Sequence, residues 1–342
     1  MTDVFAITTR GLEPISAVEM GDIPSLLVKE VAYRRVTATY EGSLSALLGL
    51  RTVDDIFLDL ATWPGIITQR LALSRLRQLS EQLDLVPAVE LISRFRHVNS
   101  SPSFSVTANF VGRRNYSSEE IKAAVAEGIV AKYHWAYGTE DTSTFNIRIF
   151  LEHELAYVGM RLSERALHSR LYKQTHISGS LKPSVAAAML CLARIAPRIG
   201  VLDPCCGAGT ILIEAALLGA KALGGDNNPL ALQAAADNAR QAGLVLQLHR
   251  WNAQRLPLLS QSVDRVVTNL PWGRQITVDE TLASFYLNLS NEFRRVLAPG
   301  GRIVALTSLP EMLHLETLKK ESEVEISLYG QTPSILVFSS PG

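Results

Sequence analysis

Val201-Leu202-Asp203-Pro204-Cys205-Cys206-Gly207-Ala208-Gly209-Thr210-Ile211-Leu212-Ile213-Glu214 is the stretch that decides the fold of this chain. A short apolar run stops at an acid, two glycines follow, and an apolar helix-like segment begins near Thr210. That order predicts a buried strand, a tight turn and a helix. Glycines at such a turn let the backbone approach a ligand at the carboxyl end of a parallel strand. Working outward, the apolar runs IGVLDP, AKALGGD, DRVVTNLP and GGRIVALTS alternate with helical stretches such as SVAAAMLCLARIA and LALQAAADNARQAG. This rhythm predicts an α/β, doubly wound parallel sheet. VEISLYG and SILVFSS, joined by QTP, break the rhythm and are expected to close one sheet edge as an antiparallel pair.

The ligand class follows from what stands beside the glycines. A nicotinamide or flavin site would carry a third small residue where Leu212 stands, and Asp203 would repel a pyrophosphate. Asp203 suits instead a ligand with a cationic amino-acid end, which points to S-adenosylmethionine. Asp226 ends the second apolar run, where a carboxylate accepts hydrogen bonds from ribose hydroxyls, and Asn228-Pro229 opens the next helix. Asn252 and Ala253 follow the third run, and an Asn amide there can meet adenine's amine and ring nitrogen. The expected cofactor residues on this part of the chain are Asp203, Cys205, Gly207, Gly209, Thr210, Asp226, Asn227, Asn252, Ala253 and Asn269.

The fourth run leads into Asn269-Leu270-Pro271-Trp272-Gly273. This loop is similar to the Asn/Asp-Pro-Pro-aromatic loop of amino-group methyltransferases. An aromatic amine is a poor nucleophile because its lone pair is delocalised into the ring. Two acceptors aimed at its hydrogens, the Asn269 side-chain oxygen and the Leu270 carbonyl, would favour a pyramidal nitrogen and free the pair. Pro271 would fix the loop's φ, and Trp272 would stack on the base, a contact worth roughly 1–3 kcal/mol. Methylation of a pyrimidine ring carbon would need a cysteine here, and the loop has none. Cys191 is expected to be a small buried residue on an apolar helix face.

Upstream, residues 1–65 open with the strand-like DVFAITT and the helix-like GLEPISAVEM, and close with the strand-like DDIFLDLATW. Residues 66–165 contain the helical IITQRLALSRLRQLSEQLDL, the strand-like SFSVTANF, and a helix capped by Ser117 or Ser118. TFNIRIFLEHELAYVGMRLS then reads as a hairpin, giving small helices on one face of an antiparallel sheet. The whole chain has 342 residues, 47% of them hydrophobic, and carries no net charge, so it reads as a globular protein of two or three domains. Local charge is uneven. Seven arginines lie between Arg70 and Arg114 against Glu81, Asp84 and Glu90, a surplus that phosphates within a Debye length would feel. No run approaches the roughly 20 apolar residues of a membrane helix, and MTDVFAITTR does not read as a secretory leader. Three cysteines make no disulfide framework, so a reducing cytoplasm is the default expectation.

From TTRGLEPISAVEM through RLYKQTHISGSLKPSVAAAML, DPCCGAGTILIEAA and TNLPWG, the chain resembles the THUMP-domain RNA guanine-N2 methyltransferases. The resemblance implies a Rossmann-like seven-stranded methyltransferase sheet at 179–342, behind a ferredoxin-like domain at 1–65, a THUMP domain at 66–165 and a linker at 166–178. It implies that Gly179, Ser180 and Leu181 lie over the methionine end of the cofactor. It further implies a THUMP domain gripping the CCA-bearing acceptor end of tRNA, with N2-methylguanosine formed at position 6. Leu270 stands where many relatives have Pro; its carbonyl can still accept, so the departure bears on the base and not on catalysis, and leaves open a guanine at tRNA position 10 or in rRNA, or an adenine N6. RNA binding without catalysis is the alternative from a different class. Arg94, Arg96, Arg113 and Arg114, with Tyr116 beside them, and Arg274 near the target loop are the expected RNA contacts. No metal ligand set is expected, and a monomer is the default.

Overall fold

The computed structural model describes residues 1–271 and 282–341, so Trp272, Gly273 and Arg274 lie outside the described residues. Contacts gather the chain into two units, Met1–Ile7 with Met20–Leu50 and Asp54–Leu167, and Thr8–Glu19 with Arg51–Val53 and His168–Gly342.

The first unit carries β1 (Thr2–Ile7), the end of α1 (Glu13–Gly21), β2 (Leu26–Ala32), β3 (Arg35–Tyr40) and β4 (Asp55–Pro64). It continues through α2 (Leu71–Gln82), α3 (Val86–Ser93), β5 (Ser103–Phe110), α4 (Ser118–Tyr133), β6 (Ala136–Tyr137), β7 (Phe145–Glu152) and β8 (Leu155–Arg161). All eight strands form one sheet in the order β2-β3-β1-β4-β8-β7-β5-β6, so the segments 1–65 and 66–165 share it through the β4–β8 pairing. LLVKEVAYRRVTATY forms a hairpin that turns at Arg34, whose φ is 55°. The expectation of an antiparallel sheet is corrected: β5 runs parallel to β7, so the sheet is mixed. The physical reason is α4, which returns the chain across one sheet face and makes β5-α4-β7 a parallel crossover. Ser117 caps α4, its hydroxyl accepting from Glu120 N while the Glu120 carboxylate accepts from Ser117 N.

The second unit carries α5 (Pro183–Leu192), β9 (Gly200–Asp203), α6 (Thr210–Leu217), β10 (Lys221–Asp226), α7 (Pro229–Gln241), β11 (Gln247–Arg250) and β12 (Val263–Asn269). After these come α8 (Leu282–Val296), β13 (Leu297–Thr307), β14 (Lys319–Glu325) and β15 (Ser334–Ser339). The sheet order is β11-β10-β9-β12-β13-β15-β14, parallel from β11 to β13, with β15 antiparallel to both β13 and β14. This is the seven-stranded sheet that the resemblance implies, closed by an antiparallel pair as expected, with one correction: its first strand is Lys319–Glu325 and not VEISLYG, which shares only Val324 and Glu325 with it. Successive strand residues point to opposite faces. Val201, Val267, Val304 and Val337 therefore join one core with α5 and α6, while Leu202, Val266, Ile303 and Leu336 join the other with α8.

The opening TTRGLEPISAVE packs into this second unit. Leu12 belongs to the α5–α6 core, and Ser327 N donates to Arg10 O at 3.0 Å. Gly11 has φ +94°, and a Cβ there would sit 2.1 Å from Glu325 O, so no other residue fits without movement.

Candidate active site

Strand order reverses between β9 and β12, and ligands of such sheets bind in the crevice beyond the carboxyl ends of the strands at that point. A cavity of about 690 Å³ opens there. Asp203, Cys205, Gly207 and Thr210 of the first turn line it, with Asp226, Asn227, Asn252 and Ala253 from the next two strand ends. Ser180 and Leu181 close one side, and Asn269, Leu270 and Pro271 another. Gly209 is not among the lining residues. Its part is structural: with φ +78° it opens α6, and a Cβ would lie 2.9 Å from Ala235 Cβ, so it lets α6 and α7 approach.

The two acids differ in setting. Asp203 is 1% exposed, and accepts from the Thr268 hydroxyl at 2.8 Å and from Cys205 N at 3.2 Å. Burial, helped by the nearby Asp226 charge, outweighs those bonds and pushes its pKa up to about 7. Asp226 instead ties the turn together, accepting from Gly207 N at 3.0 Å and Asn228 N at 2.9 Å. Trp251 Nε1 donates to Pro204 O at 3.0 Å and joins the third strand end to the same turn. Burial pushes both Cys205 and Cys206 thiols well up, which holds them protonated and unreactive. Asn252 Oδ1 accepts from Gln254 N at 2.9 Å, so one acceptor site of that amide is used locally.

S-adenosylmethionine fits this lining. The buried Oγ of Ser180 has no partner among the described residues, a polar atom left for a ligand, and two carboxylates stand where a cationic group and a diol need acceptors.

At the target loop, the Leu270 side chain is fully buried, and Leu270 N donates to Leu306 O at 3.0 Å. The loop is thereby fixed on β13, and only the backbone of residue 270 is left for chemistry at the cavity. The Asn269 amide is half-buried and its Nδ2 donates to Gly179 O at 3.3 Å. Tyr286, a buried residue of α8 that sequence reading passes over, donates from its hydroxyl to Pro271 O at 3.1 Å. Phe285 beside it lines the cavity and was not foreseen either. The segment read as a linker also reaches the site, since Ile177 and Ser178 line the cavity next to Gly179. Its polar composition mimics a connector, and nothing local signals the contact.

The expected RNA residues divide. Arg94 and Arg113 are exposed, and Arg94 borders a groove of about 250 Å³ with Tyr40 and Phe95. Arg96 and Arg114 differ from these: several of their guanidinium N–H groups bond within the fold. Arg96 donates to Ser163 O and Thr144 O at 2.9 and 2.6 Å, and Arg114 to Ile66 O, His153 O and the Tyr116 hydroxyl at 3.1, 2.5 and 2.9 Å. Tyr116 is 4% exposed and donates to Ile67 O at 2.8 Å, so its ring offers no stacking surface. Cys191 is corrected, because it sits on the exposed side of α5. Among the described residues no helix is long and apolar enough to cross a membrane.

Three comparisons with known proteins bear on this site. The family described as UPF0020, RMKL-like, methyltransferase domain, matches residues 170–330. The chain is 33% identical over 257 residues to a tRNA (guanine(6)-N2)-methyltransferase of Thermus thermophilus, covering 72% of this chain and 75% of that one. It is 32% identical to the tRNA (guanine(6)-N(2))-methyltransferase THUMP3 of Bos taurus, over 60% of this chain but only 43% of the bovine one. It therefore spans less than half of that animal relative. The crystal structure of TrmN from Thermus thermophilus superposes with a TM-score of 0.80 at 26% identity, covering 99% of this chain and 100% of that one. The fold agrees with these matches, and the chain belongs to the THUMP-domain RNA guanine-N2 methyltransferase family, enzymes whose methyl donor is S-adenosylmethionine.

Proposed function

We propose that this protein methylates the exocyclic N2 of a guanosine at position 6 in the acceptor stem of tRNA. The observation that carries the chemistry is one cavity lined by the glycine turn on one side and by Asn269, Leu270 and Pro271 on the other. When bound, S-adenosylmethionine supplies a methyl group on a sulfonium. On this reading Asp203 pairs with the cofactor's ammonium, Asp226 with its ribose, and Ser180 and Leu181 cover its methionine end. The Asn269 oxygen and the Leu270 carbonyl accept the two hydrogens of the guanine amine and localise its lone pair on nitrogen. The bound cofactor would supply the methyl group to that lone pair, its sulfonium leaving as the neutral thioether, and the nitrogen's extra proton would go to water. Tyr286 holds the Pro271 carbonyl, which keeps the loop in place for in-line attack. Trp272 is the proposed stacking partner of the extruded base.

The tRNA assignment rests on the Thermus relative, which is 33% identical over 72% of this chain and is named for position 6. A mouse relative, 33% identical over 62% of this chain, is named instead for U6 snRNA. Residues 66–165 are the proposed grip on the acceptor end, with Arg94, Arg113 and Arg274 as phosphate contacts; an exposed guanidinium steers and positions without reading sequence. Incubating the protein with total tRNA and labelled cofactor, then mapping the labelled nucleotide, tests the assignment. Label at position 6 is expected. Label confined to position 10, or to U6 snRNA offered alongside, overturns it.

A further inference from the structure

The segment from Tyr172 to Leu181 is held at several points, each by a side chain rather than by regular structure. At its start the buried carboxylate of Glu214, fully shielded in α6, accepts from the Tyr172 hydroxyl at 2.7 Å and from Arg170 Nε at 3.3 Å. At its end Ser180 O accepts from the Tyr329 hydroxyl at 3.1 Å, and Leu181 O accepts from Lys173 Nζ. Between them the pin is Asn238 on α7, a residue 1% exposed that touches the cavity nowhere.

Every polar position of the Asn238 amide is engaged. Oδ1 accepts from Gln174 N at 3.1 Å and Thr175 N at 2.9 Å, while Nδ2 donates to Thr175 O at 2.9 Å and Ala208 O at 3.1 Å. Turned over, the amide would set its oxygen against two carbonyls and its hydrogens against two N–H groups, so it has one orientation. Ala208 lies between the two turn glycines. One buried amide thus fastens the strap to the glycine turn. Four residues beyond Thr175, Gly179 O accepts from Asn269 Nδ2 at 3.3 Å. This bond decides which end of the Asn269 amide faces the strap: the nitrogen does, and the oxygen is turned the other way.

We infer that Asn238 is a positioning residue for methyl transfer, acting through the strap on both the cofactor pocket and Asn269. The inference rests on reading the cavity as the cofactor and target-amine site. If the strap shifts, Gly179 O leaves Asn269, and the amide loses a bond that turns its nitrogen toward the strap and its oxygen away from it. Asn238 therefore affects turnover even when cofactor saturates, which a residue serving cofactor binding alone does not do.

The experiment compares wild type with Asn238→Ala, the equal-sized Asn238→Asp, which cannot donate to Thr175 O and Ala208 O when ionised, and Tyr329→Phe on the exposed side of the strap. Calorimetry gives the affinity and the number of S-adenosylhomocysteine sites, and turnover at saturating cofactor is expressed per site, which removes any unfolded fraction. Both Asn238 variants are expected to bind about tenfold more weakly and to turn over about tenfold more slowly per site, with the KM for RNA unchanged, because a misplacement of about 1 Å is costly at such sites. Tyr329→Phe is expected to show the same pair of losses at about threefold, and carries the test if the Asn238 variants do not fold. Unchanged turnover per site in the folded variants overturns the inference. Failure of wild type to bind the ligand at all overturns instead the reading of the cavity.

Discussion

On the proposed reading Asp203 is the buried acid that meets the cofactor's cationic end, and its pKa of about 7 then makes cofactor binding a matter of pH. A proton and a cationic ligand compete for the same carboxylate, so the ionised form binds and binding releases a proton. The folded, ligand-free group has a raised pKa; affinity is therefore full above about 8 and falls as pH drops through 7, approaching tenfold per unit below it. Calorimetric titration from pH 8.5 to 5.5 checks this, with Asp203→Asn expected to bind weakly and without the slope; a flat wild-type profile contradicts the role. Asn269 makes the second residue-scale claim. Asn269→Ala is expected to cut turnover by about 10² to 10³ while cofactor affinity stays within several-fold, since the lost acceptor matters only as the amine becomes tetrahedral. Turnover and binding measured on one preparation separate the two. Asp203, Asp226 and Asn269 were legible because each ends a strand beside a glycine or proline turn, a local pattern. Tyr286 and Asn238 were not, because their partners, Pro271, Thr175 and Ala208, lie far away in sequence and are met only once helix and sheet pack.

Elements were legible where burial has a period. The strands β9, β12, β13 and β15 read as apolar runs because both of their faces are covered, and α4 announces itself through Ser117 and Glu120. Short α3 went unread, since Val86–Ser93 offers two turns at most to display a pattern. Cys191 was misjudged for a related reason: α5 is apolar almost all round, so its sequence does not say which side meets solvent. Glu214 on α6 is the strongest element-scale tie, because it also receives Arg51 through two guanidinium bonds, besides Arg170 and Tyr172. Removing a buried ionic partner strands the others, at a cost of about 3–5 kcal/mol. Glu214→Ala is accordingly expected to lower the unfolding midpoint in urea by that equivalent, and an unchanged midpoint would show that the network contributes no net stability.

At the scale of the molecule, sequence order and structural membership part company. Residues 8–19 and 51–53 belong with the methyltransferase sheet, although they are embedded in the segment that builds the other unit's first strands. Boundaries drawn from composition are linear, and the contacts that place Gly11 and Leu12 lie some three hundred residues downstream, at Glu325 and Ile326. The seven-stranded sheet, by contrast, is continuous in the chain and six of its strands were legible; β14 was not, because Lys319–Glu325 is a polar, largely exposed edge strand, and the apolar residues that follow it drew the reading to 324–330. The proposed chemistry offers a base amine to two fixed acceptors opposite a methyl donor. Digestion of in vitro methylated tRNA to nucleosides, with chromatography of the labelled product, tests that claim most directly. The account expects all label in N2-methylguanosine; label on a ring carbon or a ribose oxygen would contradict it.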